Sequence, residues 1–345
     1  MQKHVIRVAG TAFSGSTLLS ALFNVQPHTR GLNETYHWFN PTTEAFCPKC
    51  QGALTECEMY RFKGDQQFWE NMFAHYAEEQ YDTETHVLVD ASKNVGSMFN
   101  QMPPVPDEYR HQVIILSKNP HEFAWSYQKH HENEEVGYCM LSWAEIYSTV
   151  VRFMDAASQW CREDIVMPKW VKNVPIIHSN DIAVVTYRDL ASNPVETMRK
   201  LCAKLEVPFD EDRTADPWAE TTDTCMVGGN NSIYAQHARA DHFFNCTHDY
   251  SMYLGEKYKG KKGQVFLDEQ WRRDIRFRQT CSAYYTRQKG GKFVEQINDV
   301  AKRIGYPDGC RGFNLDLTPK HKARRKPSVD AGDGEAPDPL PQAPS

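Results

Sequence analysis

Four short apolar runs stand out along the chain, each followed by polar or helical sequence. His4 to Ala9 carries Val5, Ile6 and Val8 and stops at Gly10; Val87-Leu88-Val89 precedes Asp90. Val113-Ile114-Ile115-Leu116 precedes Ser117, and Ile182 to Thr186 is the fourth. Near-continuous apolar runs rich in β-branched residues describe strands covered on both faces. Such strands spaced by helices predict an α/β fold, a P-loop-containing three-layer arrangement whose central, mainly parallel sheet is flanked by helices.

The stretches between them carry helix signals. Ser16 to Val25 sets Leu18, Leu19, Leu22 and Phe23 on one face. Asn119-Pro120-His121-Glu122 reads as an N-cap, a proline at the first helical position and an acidic first turn. Asn193-Pro194-Val195-Glu196 repeats that signature before Met198, Leu201 and Leu205. Residues 1–315 are expected to form a single domain, with insertions around 35–80 and 220–265. From 316 onward a basic run (Lys320 to Lys326) leads into a Pro/Asp-rich tail. The tail has too few large apolar residues to pack and is expected to be disordered.

Composition narrows the function classes. A chain of 345 residues with a net charge of −6 is not a general nucleic-acid binder. No run reaches the ~18–20 apolar residues of a membrane span. The N-terminus has no leader-like apolar region, so a cytoplasmic protein that binds no membrane is expected. Ten scattered cysteines fit a reduced compartment, with only Cys47, Cys50 and Cys57 clustered. That cluster is equally readable as a metal site completed by His37 or His75, as a disulfide, or as buried thiols; no metal is needed for the chemistry below.

The first candidate for chemistry is Gly10-Thr11-Ala12-Phe13-Ser14-Gly15-Ser16-Thr17, which has the spacing G-x-x-x-x-G-x-[ST] between a strand and a helix. In such a loop backbone N–H groups converge on phosphate oxygens at a helix N-terminus. A flexible Gly/Ser turn is the plain alternative, and the flanking strand and amphipathic helix favour phosphate. Ser16 stands where an NTPase carries Lys, which weighs against ATP hydrolysis or a kinase. Val87-Leu88-Val89-Asp90 nevertheless imitates a Walker-B strand, so a P-loop small-molecule kinase is the alternative enzyme.

Arg7 to Leu19 resembles the 5′-phosphosulfate loop of sulfotransferases that use 3′-phosphoadenosine 5′-phosphosulfate (PAPS), in particular the bacterial-type and tyrosylprotein-type branches. Those families place Lys or Arg where this chain has Phe13. Ile114 to Pro120 followed by Ser126 is similar to the family's 3′-phosphate motif, with Lys118 in place of its usual Arg. Val184 to Leu190 resembles a Tyr-Glu-Asp-Leu segment whose Tyr lies near the adenine, here Tyr187. Gly228-Gly229-Asn230 resembles a later glycine-rich contact to the 3′-phosphate.

The resemblance implies donor binding by Thr11, Ala12, Phe13, Ser14, Gly15, Ser16, Thr17, Lys118, Ser126, Tyr187, Gly229 and Asn230. It implies Glu34, in Gly31-Leu32-Asn33-Glu34-Thr35, as general base, and Lys93 as the cation at the sulfate or leaving oxygen. Asp90, His37, His130 and His131 are the other candidate bases. The implied activity is sulfuryl transfer from PAPS to a hydroxyl or amine of an acceptor, a small molecule rather than a protein. A catalytically silent PAPS-binding or scaffold protein is the alternative from another class. Lys93 is expected to supply the cation that Phe13 lacks.

Overall fold

All four apolar runs form strands, and a fifth, Thr29–Asn33, joins them. A computed structural model of the chain describes residues 2–39, 46–47, 52–53, 56–62, 64–79, 85–130, 136–159, 177–215 and 292–307. Strands β1 (His4–Gly10) and β2 (Thr29–Asn33) flank helix α1 (Ser16–Asn24) in the chain. After α2 (Tyr36–Phe39) come the short antiparallel pair β3 (Phe46–Cys47) and β4 (Gly52–Ala53), and then α3 (Phe68–Glu79). Next follow β5 (Val87–Lys93), α4 (Val95–Asn100), β6 (Arg110–Ser117), α5 (Pro120–His130), α6 (Val136–Gln159) and β7 (Ile182–Thr186). Helices α7 (Tyr187–Ser192), α8 (Pro194–Leu205) and α9 (Glu211–Thr214) follow, and a later helix, α10, spans Lys292–Arg303.

The main sheet runs β2-β5-β1-β6-β7, and every pairing is parallel. Side chains alternate between two cores with the strand period of two. On β6, Ile114 and Leu116 pack with α1, α7 and α8 through Leu19, Leu22, Leu190 and Met198. Val113 and Ile115 face the opposite layer, made of Trp143, Tyr147 and Val150 from α6 with Val300 and Ala301 from α10. The expected three-layer α/β architecture is therefore what these residues build. The strand missed from sequence, β2, reads Thr-Arg-Gly-Leu-Asn and has one large apolar side chain, Leu32. Pairing to β5 and packing on α1 make it a strand without a run of its own.

Two helix starts behave differently despite their shared sequence. At α5 the Asn119 side chain caps as expected, its Oδ1 accepting from His121 N at 2.8 Å. At α8 Asn193 occupies the cap position but its side chain makes no cap bond. The short helix α7 precedes it directly and is capped by Thr186, whose Oγ1 accepts from Asp189 N at 3.0 Å while its hydroxyl donates to Asp189 Oδ2 at 2.7 Å. Thus Tyr187 opens a helix of its own.

Candidate active site

In a parallel sheet the carboxyl ends of all strands share one edge, and the loops that leave them line a common crevice. Read across this sheet, that edge carries Glu34 just after β2 and Lys93 ending β5. The Gly10 to Thr17 loop follows β1, Lys118 follows β6, and Tyr187 follows β7. Residues far apart in sequence thus form one row, in strand order rather than chain order.

The loop forms the centre of the row. Phe13 has φ 58° and Gly15 φ 93°, so the backbone reverses into the left-handed region twice before α1 begins. Glycine is required at 15 for a second reason: a Cβ there would lie 2.4 Å from Tyr187 Cδ2. The aromatic ring thus rests on the loop. Ser14 Oγ is buried with no hydrogen-bond partner among the described residues. Ser16 and Thr17 are buried in the first turn of α1, where backbone N–H groups have no intrahelical acceptor. Thr11 Oγ1 stands 3.4 Å from the Tyr147 hydroxyl.

Lys118 ties the loop to the β6 side. Its Nζ donates to Phe13 O at 3.0 Å and to Ser126 Oγ at 2.9 Å, and stands 4.7 Å from the Tyr187 ring centroid. Its backbone is fixed from α6: Tyr147 Oη accepts from Lys118 N at 3.2 Å, and Trp143 Nε1 donates to Lys118 O at 2.8 Å. Burial pushes the Tyr147 phenol up to about 12, so it stays a neutral hydroxyl. Trp143 and Tyr147 lie four apart on α6, a spacing visible in sequence, but only the packing reveals what they hold.

At the other end of the row, Glu34 accepts a short ion-paired hydrogen bond from Lys93 Nζ, and His37 Nε2 is 3.4 Å from its other oxygen. Burial would push this carboxyl up. The Lys93 ammonium, with hydrogen bonds from His37 and Lys93, outweighs it and holds the group below the usual range. The Tyr36 phenol is pushed up to about 12 by burial and by the neighbouring Glu34 charge. Lys93 has φ 66° and pairs with Ala9 of β1 past a register shift, which sets it beside the start of the loop. The cation that meets the loop at Phe13 itself is Lys118.

Asp90 has a different position from the one its candidacy as a base requires. It is fully buried, and its Oδ1 accepts from the Thr35 hydroxyl at 2.7 Å, from Ser92 N at 3.1 Å and from Thr35 N at 3.3 Å. Burial raises its pKa despite Arg7 nearby. It braces the turn after β2 against β5, and with it the position of Glu34. Its other oxygen, Oδ2, is buried without a hydrogen-bond partner among the described residues, so neither oxygen faces the crevice as a base or a Walker-B carboxylate would. Thr35 and Ser92 were not identifiable from sequence, since a hydroxyl gives no signal until its carboxylate partner is placed.

Gly229, Asn230, Cys50 and His131 lie outside the described residues, as do the side chains of Cys47 and His130. Cys57 is buried, and His75 Nδ1 is 3.1 Å from Arg61 Nη2. Among the described residues no group of His, Cys, Asp or Glu is arranged to hold a metal ion, and no helix is long and apolar enough to cross a membrane.

A family model described as a sulfotransferase domain matches residues 3–226. No curated protein matches the chain. Among solved structures, the sulfotransferase domain from the Synechococcus PCC 7002 olefin synthase is similar at 17% identity and a TM-score of 0.43, covering 70% of this chain and 89% of that one. A sulfotransferase domain from the curacin biosynthetic pathway is similar at 15% identity and a TM-score of 0.39, covering 66% and 84%. A sulfotransferase from Alicyclobacillus acidocaldarius is similar at 14% identity and a TM-score of 0.33, covering 73% and 96%.

Proposed function

The chain belongs to the sulfotransferase domain family, and from that premise we propose that it moves a sulfuryl group from PAPS to a hydroxyl or amine of a small-molecule acceptor. The observation that carries this reading is the row along the sheet edge. A cation, hydroxyl and aromatic ring (Lys118, Ser126, Tyr187) stand at one end, a phosphate-type loop in the middle, and a carboxylate–lysine pair (Glu34, Lys93) at the other. A bisphosphorylated nucleotide needs the first two groups and the transfer needs the third.

Lys118 and Ser126 bind the 3′-phosphate, a dianion matched by a buried ammonium and a hydroxyl donor. The loop N–H groups, with Ser14, Ser16 and Thr17, hold the 5′-phosphosulfate, while Tyr187 flanks the base. In the chemical step the acceptor oxygen bonds to sulfur as the bond from sulfur to the bridging oxygen breaks. That oxygen leaves with the electron pair as part of adenosine 3′,5′-bisphosphate, and the acceptor proton passes to Glu34. Lys93 offsets the charge growing on the leaving oxygen, so the step needs no metal ion. Lys93 Nζ and the Glu34 carboxylate are in contact, so the cation for the leaving oxygen and the base for the acceptor stand side by side.

Adenosine 3′,5′-bisphosphate is expected to raise the melting temperature of the protein, and incubation with PAPS and acceptor mixtures to yield products heavier by one SO₃ group. Turnover of ATP with magnesium, without stabilisation by the bisphosphate, would overturn the reading in favour of a kinase. Stabilisation with no product across a broad acceptor panel would point to a silent binding protein.

A further inference from the structure

One residue beyond Tyr187, Arg188 carries a charge that the transfer as described leaves unused. Its Nη2 lies 3.7 Å from Glu122 Oε1, and the Glu122 side chain is 1% exposed. Arg188 Nε and Nη2 are buried, with no hydrogen-bond partner among the described residues. A guanidinium whose buried N–H groups make no bond leaves a penalty that an anion would remove.

The position of Glu122 tells where that guanidinium sits. Glu122 and Ser126 are four apart on α5 and therefore share a face. Lys118, just before the helix, reaches Ser126 Oγ at 2.9 Å, so its side chain runs along that face past the turn bearing Glu122. Arg188 meets Glu122 from α7, on the side where Tyr187 covers the Lys118 ammonium at 4.7 Å. The partners of the two cations, Glu122 for Arg188 and Ser126 for Lys118, are thus one helical turn apart on α5. Tyr306 is near enough to feel the charges of both Glu122 and Arg188. Gly305, at φ 102°, packs so close that a Cβ there would lie 2.7 Å from Thr186 Cγ2, and Ser117 Oγ donates to Ile304 O at 2.6 Å. Nε and Nη2 are buried, yet the Arg188 side chain as a whole is 31% exposed, so part of the guanidinium arm reaches solvent.

We propose that Arg188 is a second cation for the 3′-phosphate of the donor, and that Glu122 is the residue positioning it. Lys118 is a point charge with rotatable donors, whereas Arg188 supplies the planar fork that pairs two phosphate oxygens at once. The Tyr-Glu-Asp-Leu segment that Tyr187-Arg188-Asp189-Leu190 resembles has an acidic residue here. This chain therefore moves part of the phosphate grip from the β6 side to the β7 side.

The inference rests on donor binding at this edge, and the test separates the two. Dissociation constants are measured for adenosine 3′,5′-bisphosphate and for adenosine 5′-monophosphate, which lacks the 3′-phosphate, with the wild type, Arg188→Gln and Arg188→Lys. Arg188→Gln is expected to weaken the bisphosphate about tenfold to a hundredfold while leaving the monophosphate within about twofold, with Arg188→Lys intermediate. Equal loss for both nucleotides, or no loss, overturns the role of Arg188 while the donor reading stands. Should Arg188→Gln not fold, the same ratio is read from Arg188→Lys alone. A wild type that binds neither nucleotide overturns donor binding, and this inference with it.

Discussion

Glu34 is a carboxylate held between two nitrogen groups, and that arrangement sets its behaviour. Glu34→Gln is expected to lower kcat by about 10²- to 10⁴-fold, with affinity for adenosine 3′,5′-bisphosphate undiminished; unchanged turnover would remove Glu34 from the chemistry. Because Lys93 and His37 hold the folded-state pKa down, the pair stabilises the fold above the ordinary carboxylate value of 4.5. That contribution is lost as pH falls through the lower folded value. Thermal melts should therefore separate wild type from Glu34→Gln near neutrality and bring them together in strong acid. The residues around Glu34 were unevenly legible in the sequence. Glu34, Lys93 and Lys118 could be named as candidates because they stand next to strands, at spacings shared with a known family, and the sheet sets all three along one edge. Thr35 and Arg188 were not, because their partners Asp90 and Glu122 are distant in sequence and the contacts exist only after the sheet forms; Ser92 was not, because a serine two residues from an aspartate gives no signal of its own. Asp90 misled for the same reason: a carboxylate ending a strand looks the same in sequence whether it faces the crevice or the interior.

The turns are where elements and chemistry meet. Gly15 lets the loop enter α1 in a left-handed conformation and leaves room for the Tyr187 ring. Thr186 fixes where that ring begins by capping α7. Two substitutions separate these duties. Thr186→Ala loses one cap and is expected to cost about 1 kcal/mol of stability. Gly15→Ala adds a Cβ 2.4 Å from the ring and, at φ 93°, about 1–2 kcal/mol of backbone strain. Only Gly15→Ala should weaken bisphosphate binding by more than its effect on unfolding would imply, as calorimetric titration beside denaturant unfolding would reveal; equal effects would mean that Tyr187 does not flank the nucleotide. Strands with apolar runs were legible, β1, β5 and β6 because both their faces are buried and the edge strand β7 by its β-branched residues although Val184 is exposed. β2 was not, since neighbours supply most of its stability, and the Asn193-Pro194 signature pointed to the right helix while its cap bond is absent.

Across the whole molecule, α10 lies beyond the residues matched by the family model yet completes a core. Its Val300 and Ala301, with Ile304 and Tyr306 after it, pack with Trp143 and Tyr147, the two residues that hold the backbone of Lys118. Ile304 is fully buried, so Ile304→Ala is expected to cost about 2–5 kcal/mol, visible as a lower midpoint in denaturant with nucleotide affinity largely kept in the folded fraction. A wild-type midpoint would show that α10 is dispensable to the fold. The row of groups along the sheet edge has one more consequence. In the proposed reading the nucleotide's contacts arise from β1, β6 and β7, whereas the base and its lysine arise from β2 and β5. On that proposal a laboratory selection for new acceptors can randomise Tyr36 and its surroundings, sparing Glu34 and its partner His37, while the grip on the currency molecule is inherited unchanged.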